Sequence, residues 1–429
     1  MRREGPFPLG WIIVVTSFIA LALVYSLQYS FSVFFVALIK EFGWSRSIGA
    51  GAFSLFSIFS GLSGPFVGSL ISTLGLQRVL LLGSLVMGAG LILCSFIQEW
   101  WHFYLFFGII IALGVGATGW IPNVTLINLW FREKRGLAIG IISSGIGVGI
   151  FVCVPASQHL ILRFGWRVSY CLMAAFIPLV IILITLTLLK RPPPVKSALA
   201  TGDGSFPAST PDPLIVDQEW TSRSWNLQKA AGTKRFWLLG LAFFLGNFMA
   251  QSIFVHQVAF FVDHRLSAVF ASYLVGLVGV VSLGSKILWG GLSDKIGREM
   301  THTAGMICMM LSMFLLILFD FFPSSALTYA YSVCFGMGYA VTAALPPLMT
   351  ADLFEGPAYG SIFGAFIAFT GIGAALGAWF AGFIYDWSGS YVPAFILNMV
   401  SSLISCVSIW KAGPGKVRRV PGKMGQISN

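Results

Sequence analysis

Charge is what this sequence has least of. Acidic and basic residues together fill 10% of its 429 positions, against about a quarter in an ordinary soluble domain, so water cannot be the solvent for most of the folded surface. Constellations for covalent chemistry are also missing. The five histidines, His102, His159, His256, His264 and His302, are dispersed, and none stands at zinc-ligand spacing from a cysteine. There is no nucleophile motif and no nucleotide loop, which leaves an enzyme or an ATP-driven pump with little support and gives no reason to expect a cofactor or metal. The letters of Gly114-Val115-Gly116-Ala117-Thr118-Gly119 fit a dinucleotide fingerprint. They lie inside an apolar run with no strand before them and read as helix packing. All six cysteines, Cys94, Cys153, Cys171, Cys308, Cys334 and Cys406, also fall in apolar runs, so a secreted disulfide framework is not indicated.

What is abundant is apolar length. Hydrophobic residues make up 57% of the chain, gathered in runs long enough to cross a hydrocarbon core of roughly 30 Å as helices. Twelve spans are predicted, near 11–36, 48–71, 79–97, 103–129, 137–162 and 168–189, then 236–261, 269–292, 303–319, 326–350, 362–384 and 392–410. The one long polar stretch holds Pro192, Pro193, Pro194, Gly202, Gly204, Pro207, Pro211 and Pro213. It reads as a flexible linker, not a packed element. The expected division is an N-terminal six-helix bundle over 1–190, a linker over 191–234, a C-terminal six-helix bundle over 235–411 and a tail over 412–429. The first apolar run is too long for a signal peptide, so it is expected to be retained as a span.

The net charge of +11 raises the question of nucleic acid, and its placement answers it. Of the 26 Lys and Arg residues, Lys40, Arg46, Arg163, Arg167 and Arg265 fall on one side of the predicted spans, Lys286 falls inside one, and the remaining twenty fall on the other side. Cytoplasmic loops are enriched in Lys and Arg, so both termini are expected in the cytoplasm and the basic partner is a lipid bilayer. Compact outer loops suggest a bacterial inner membrane.

The halves repeat. Gly68, Leu70 and Gly75 correspond to Gly290, Leu292 and Gly297 at an offset of 222. Arg135-Gly136-Leu137-Ala138-Ile139-Gly140 is echoed by Tyr359-Gly360-Ser361-Ile362-Phe363-Gly364, and Gly165 by Gly389, at an offset of 224. Parallel six-helix repeats mark a carrier architecture whose halves rock about a midplane site. Glycines crowd the fifth span (Gly140, Gly145, Gly147, Gly149) and the eleventh (Gly371, Gly373, Gly377, Gly382), as a close, moving interface between helices requires.

Lys286 is the one base expected deep in a span, and no carboxylate falls within a span's interior. It precedes Asp294 by eight residues, hence about 12 Å along a helix. A lone intramembrane ammonium is a functional hypothesis by default, and the carboxylate of a cargo would supply its counter-ion. The plain alternative is that it snorkels to the interface without binding anything.

These features resemble the major facilitator superfamily. Its cytoplasmic loop pattern stands complete as Gly290-Gly291-Leu292-Ser293-Asp294-Lys295-Ile296-Gly297-Arg298 and is degraded in the first half, where Ser72 and Thr73 replace the acid and base. The resemblance implies an all-α membrane fold of 12 transmembrane helices, two six-helix bundles around a central cavity. At that helix end Asp294, facing the bases Lys295 and Arg298, can latch one conformer and release it in the other; the plain alternative is a tight turn with a solvated charge cluster. The spans that line the cavity in that fold carry Tyr25, Gln28, Tyr29 and Ser32, then Trp120 and Asn123, then Asn247, Gln251 and His256, then Tyr331 and Tyr339.

A closer resemblance, through both halves, is to the monocarboxylate transporter and oxalate/formate antiporter families. It is carried by Gly10-Trp11, Gln28-Tyr29-Ser30-Phe31, Trp130-Phe131 followed by Arg135-Gly136-Leu137-Ala138, and Asp352-Leu353-Phe354. It implies that Lys286 stands where the family's base holds substrate carboxylate. Cavity roles follow for Gln28, Tyr29, Trp120 and Tyr339, and Asn123 and Gln251 join them as expected substrate contacts from the cavity-lining spans. Three departures bear on mechanism. Thr370 stands where the oxalate carrier has a second lysine, which argues for a monoanion. Tyr29 replaces a lysine and Ser282 an aspartate of animal monocarboxylate transporters, so the usual proton-carrying pair is missing. Lys286 itself, and less directly His256, are then the candidates for proton coupling, because lysine can release a proton where arginine cannot. The expected activity is proton-coupled symport of a lactate-, pyruvate- or acetate-like anion by a monomer. Organic-anion exchange and a non-transporting metabolite receptor are the rivals.

Overall fold

The computed structural model describes residues 9–131, 135–187, 214–356 and 358–422. Long helices dominate it: α1 (Leu9–Phe42), α2 (Arg46–Leu74), α3 (Leu76–Cys94), α4 (Trp100–Trp130), α5 (135–164), α6 (166–187), α7 (Lys234–Asp263), α8 (Ala268–Ile296), α9 (Arg298–Phe321), α10 (Ser325–Leu353), α11 (Tyr359–Ser388) and α12 (Val392–Ala412). The stretch from Arg135 to Thr187 is hydrogen-bonded throughout, yet Gly165 has a φ of 78°. At about 1.5 Å per residue that stretch is far too long for one crossing, and the glycine folds it into two.

The internal repeat has a conformational basis. Gly75 (φ 83°) turns α2 into α3, and Gly297 (φ 101°) turns α8 into α9. Gly165 (φ 78°) and Gly389 (φ 72°) do the same for α5 to α6 and α11 to α12. Only glycine adopts such backbone freely, so the matched glycines found in sequence are the four tight turns of two copies of one unit.

α1 packs on α5 and α7 on α11, while across the seam α2 meets α11, α5 meets α8 and α1 meets α7. The glycine-rich helices serve both kinds of contact. A Cβ at Gly145 or Gly149 would strike backbone carbonyls of α1, and one at Gly373 or Gly377 those of α7, all within a half. Gly147 faces the Gly279 carbonyl, and Gly371 the Ser57 carbonyl, across the seam. The expectation of a moving interface therefore fits alternate glycines, not all of them. Large apolar side chains are exposed around the whole bundle, among them Phe66, Phe176, Ile287 and Trp387, as a lipid-facing surface requires.

Two expectations are corrected. α1 runs six residues past its apolar core, because its polar last turn is held by Glu41, which accepts from Trp166 Nε1 and Arg167 Nη1 at 2.5 Å each. Residues 214–233, expected to be flexible linker, are folded. Ile215 pairs with Arg418, Arg419 N donates to Leu214 O at 2.7 Å, and Trp225 is buried edge-on against Phe354. Aromatic side chains supply the packing here; the Pro- and Gly-rich start of the linker lies outside the described residues.

Candidate functional site

The two ends of the bundle differ. At the end bearing Asp294, Cβ atoms built on Gly68, Gly140, Gly290, Gly291, Gly360 and Gly364 would touch nothing. The ion pairs described there, Arg298 with Asp294 and Asp352, Arg235 with Asp217, and Arg418 with Glu355, join the second half to itself, to the linker and to the tail. At the opposite end the halves are joined: Arg46 of α2 pairs with Asp263 of α7, and Ser47 with Asp386 of α11. Among the described residues, the two halves are thus tied by ion pairs and hydrogen bonds at this sealed end and by no ion pair at the other.

Lys286 lies between these ends on α8, half-buried. Among the described residues it forms no ion pair, and its Nζ lies 5.8 Å from the centre of the Tyr339 ring, at the outer limit of a cation–π contact. Ser282, one turn earlier, is fully buried, with its hydroxyl donating to Gly279 O at 2.9 Å. Among the described residues no carboxylate pairs with the ammonium.

An aromatic cluster adjoins it. The Tyr339 hydroxyl of α10 meets the Tyr29 hydroxyl of α1 across the seam, and both rings pack edge-on against Phe254, at 4.9 and 4.8 Å between centres. Gln251 faces the Tyr29 hydroxyl and is buried, yet its Oε1 has no protein partner. Tyr25 reaches the backbone of Trp120. Gln28 and Trp120 are half-buried.

Sequence reasoning therefore grouped Lys286, Tyr29, Gln251 and Tyr339 as the structure does. Others it places elsewhere. The Asn123 amide donates to the Thr118 and Gly119 carbonyls at 2.8 and 2.7 Å, fastening a break in α4. Gly119 is needed at that break, because a Cβ there would lie 2.6 Å from the Val115 carbonyl. The Thr370 hydroxyl is used within α11, donating to Ile367 O at 2.7 Å. His256 is not at the Lys286 site. It is buried at the sealed end, with Nδ1 3.0 Å from the Tyr391 hydroxyl and Nε2 2.9 Å from Ala378 O.

The loop after α8 centres on Arg298. Its guanidinium donates to Asp294 at 2.7 Å, to Ser293 Oγ at 2.5 Å and to Asp352 at 2.9 Å. Gly297 shapes that turn, with Gly290 still inside the last two turns of α8; Asp294 remains more than half exposed, and Lys295 forms no ion pair among the described residues. The signature Asp352-Leu353-Phe354 gains a physical meaning. Asp352 holds Arg298, the Leu353 carbonyl accepts from Trp220 Nε1 at 2.7 Å, and Phe354 receives Trp225. The sequence reading missed the Arg46 socket, because its members come from four separate helices and no spacing links them.

Two six-helix halves tied at one end, with a cation between the ends that forms no ion pair among the described residues, have the architecture of a secondary carrier. The chain belongs to the Major Facilitator Superfamily, whose model matches residues 17–355. It is a transporter by family, not an enzyme. Its sequence is similar to monocarboxylate transporter 12 of Rattus norvegicus, 26% identical over 93% of this chain and 84% of that protein. It is likewise similar to monocarboxylate transporter 3 of the same species, 27% identical over 90% and 76%. In fold it matches a bacterial homolog of the human lysosomal transporter Spinster, solved inward-facing and unoccupied, with a TM-score of 0.68 and 16% identity over 96% of this chain and 97% of that one.

Proposed function

We propose that this protein carries a small monocarboxylate, of the size of lactate, pyruvate or acetate, by alternating access coupled to proton symport. The observation that carries this reading is Lys286, an ammonium between the two halves with no acid beside it among the described residues. A buried charge left unpaired is costly, and a cargo carboxylate relieves that cost. Relatives whose names specify monocarboxylates support the same chemistry. A single lysine balances a single negative charge, and Thr370 adds none. The protonated Lys286 with its bound monoanion forms a neutral pair, which lets the halves rock without moving net charge. The charge bias of the loops supports cytoplasmic termini in a bacterial inner membrane, with the Asp294 end inside, so the state described here faces inward. The carrier acts as a monomer.

Ser282 favours one rival. With no aspartate at that position to share a proton with the base, organic-anion exchange needs no titrating group at all. Purified protein in proteoliposomes separates the two. Symport takes up labelled lactate, pyruvate or acetate on a pH gradient alone, whereas exchange requires carboxylate inside. Lys286→Ala is expected to abolish uptake, and Lys286→Arg to bind cargo but lose pH-driven accumulation. Normal uptake by the alanine variant would overturn the site; full pH-driven uptake by the arginine variant would overturn lysine as the coupling group.

A further inference from the structure

At the sealed end one side chain crosses from the first half into a socket made wholly by the second. Arg46 opens α2, and its Nη2 donates to both oxygens of Asp263 at 2.8 and 2.7 Å. Its Nη1 donates to the Tyr391 hydroxyl at 3.0 Å, and the guanidinium lies 4.4 Å from the centre of the Tyr385 ring. Beside it, Asp386 accepts from the backbone N–H groups of Arg46 and Ser47 at 2.8 Å each and from Ser47 Oγ at 2.6 Å. A carboxylate at a helix N-terminus satisfies amides that have no partner in their own helix. Here that carboxylate comes from the other half of the molecule. Every one of these bonds requires α2 to touch α7 and α11 at this end, so none survives when the halves part there.

Two turns into the membrane from Asp263 lies His256, and the chemistry of its partners fixes its protonation state. Ala378 O can only accept, so Nε2 carries the ring proton. The Tyr391 oxygen takes a hydrogen bond from Arg46, and its own proton goes to Nδ1. The bonds run in one direction, from Arg46 through Tyr391 to a neutral imidazole. A proton on Nδ1 would reverse the last bond, leave the Tyr391 hydroxyl with two donors pointed at it, and place a second positive charge one hydroxyl away from the guanidinium. The other groups facing the ring do not offset this. From α1 comes the edge of Phe35, from α11 the Ala378 carbonyl, and from the start of α12 Tyr391. The nearest acids, Asp263 and Asp386, spend their oxygens on Arg46 and the α2 terminus and do not hydrogen-bond the ring.

We propose that Arg46 in this socket is the lock holding the outer end shut, and that His256 is a positioning residue that releases it on taking a proton from solution. Acid on that side then favours the outward-open carrier, which fits uptake driven by an inward proton gradient. The inference rests on the orientation and carrier reading above, but on no particular cargo.

The test uses the full chain in lipid nanodiscs without any carboxylate. Spin labels go on Gln98→Cys and Ser325→Cys, exposed positions at this end of opposite halves, with the exposed Cys171 changed to Ser. Double electron–electron resonance then reads the distance between them. Lowering the pH from 7.5 to 5 should raise the long-distance population at least threefold in the parent protein. His256→Gln should hold it at the pH 7.5 value at both pH values. Arg46→Ala should raise it at both, and Arg46→Lys, which keeps charge but not the two-oxygen grip, should fall between. A parent with no pH response, or a His256→Gln variant that responds as the parent does, overturns the histidine's role. An unchanged population in both Arg46 variants overturns the lock. These distances are independent of uptake by Lys286 variants, so either reading can fail alone.

Discussion

Tyr29 and Tyr339 meet hydroxyl to hydroxyl across the seam between the halves, and the ring of Tyr339 also lies beside Lys286, 5.8 Å from its Nζ. The proposed cargo site and the mid-depth tie between the halves therefore share a side chain. A carboxylate that draws the Lys286 ammonium towards itself changes what Tyr339 contacts, and with it the bond that joins α1 to α10.

Removing either hydroxyl tests that coupling. Tyr29→Phe and Tyr339→Phe each keep the ring packing on Phe254; Tyr339→Phe deletes the hydroxyl-to-hydroxyl bond, worth about 1 kcal/mol net, and Tyr29→Phe deletes it together with the contact to Gln251. Tyr339→Phe should raise the ratio of outward-open to inward-open protein about fivefold in the spin-label distance measurement, and Tyr29→Phe at least as much. The double variant should shift it no further than Tyr29→Phe alone, because that change already removes the shared bond.

Lys286 itself should be a burden to the empty protein. Lys286→Met deletes an unpaired cation at mid-depth while keeping most of the apolar volume, so the cargo-free variant should melt at a higher temperature than the parent. Added lactate, pyruvate or acetate should raise the melting temperature of the parent only. At one hundred times the dissociation constant the expected gain is about 2.7 kcal/mol. A variant that melts lower when empty, or is still stabilised by carboxylates, would refute the unpaired-charge argument.

Helix number, the two-fold repeat and the central lysine were legible in the sequence because each is a local or periodic signal. Apolar run length gives the spans, and the positive-φ glycines recur at a fixed offset. Lys286 stands out because nothing else like it lies in a span. What Asn123 does at the break in α4 was not legible, since polarity in a cavity-lining helix does not reveal that a nearby backbone break will claim the amide. The folding of residues 214–233 was hidden for the opposite reason. Its anchors, Trp220 and Trp225, look like isolated aromatics until Phe354 and the 414–420 segment fold against them. The Arg46 socket joins residues more than 200 positions apart, and one sequence carries no trace of such a pairing.

Arg298 offers a stability test away from the cargo site. Its guanidinium is nearly buried and joins α9 to Asp352 at the end of α10 and to Asp294. Arg298→Met removes the ion-pair partner of Asp352 in a site with little access to water, where the charge of Arg418 still acts on the carboxylate, and should cost about 3 kcal/mol. Asp352→Leu should cost less, because Asp294 still answers the arginine. Combining the two should recover part of the loss. Urea or thermal unfolding of the four proteins in detergent gives the coupling energy, and additive losses would mean that the pair contributes nothing beyond packing.

The glycines of α5 and α11 divide by what they face, and that division can be measured. Gly377 sits under the Phe248 carbonyl inside the second half, so Gly377→Ala has no way to relieve its clash except by distorting a packed bundle. It should lower the melting temperature by an amount corresponding to about 1–3 kcal/mol and leave the balance of conformers unchanged. Gly147 faces the Gly279 carbonyl across the seam, where an added Cβ would approach to 2.8 Å. Gly147→Ala can relieve that contact by letting the halves shift, so it should change the spin-label distance distribution while leaving the melting temperature close to the parent's. If both variants lose stability alike and neither alters the distances, these glycines serve packing alone, and the seam between α5 and α8 is not a surface on which the carrier moves.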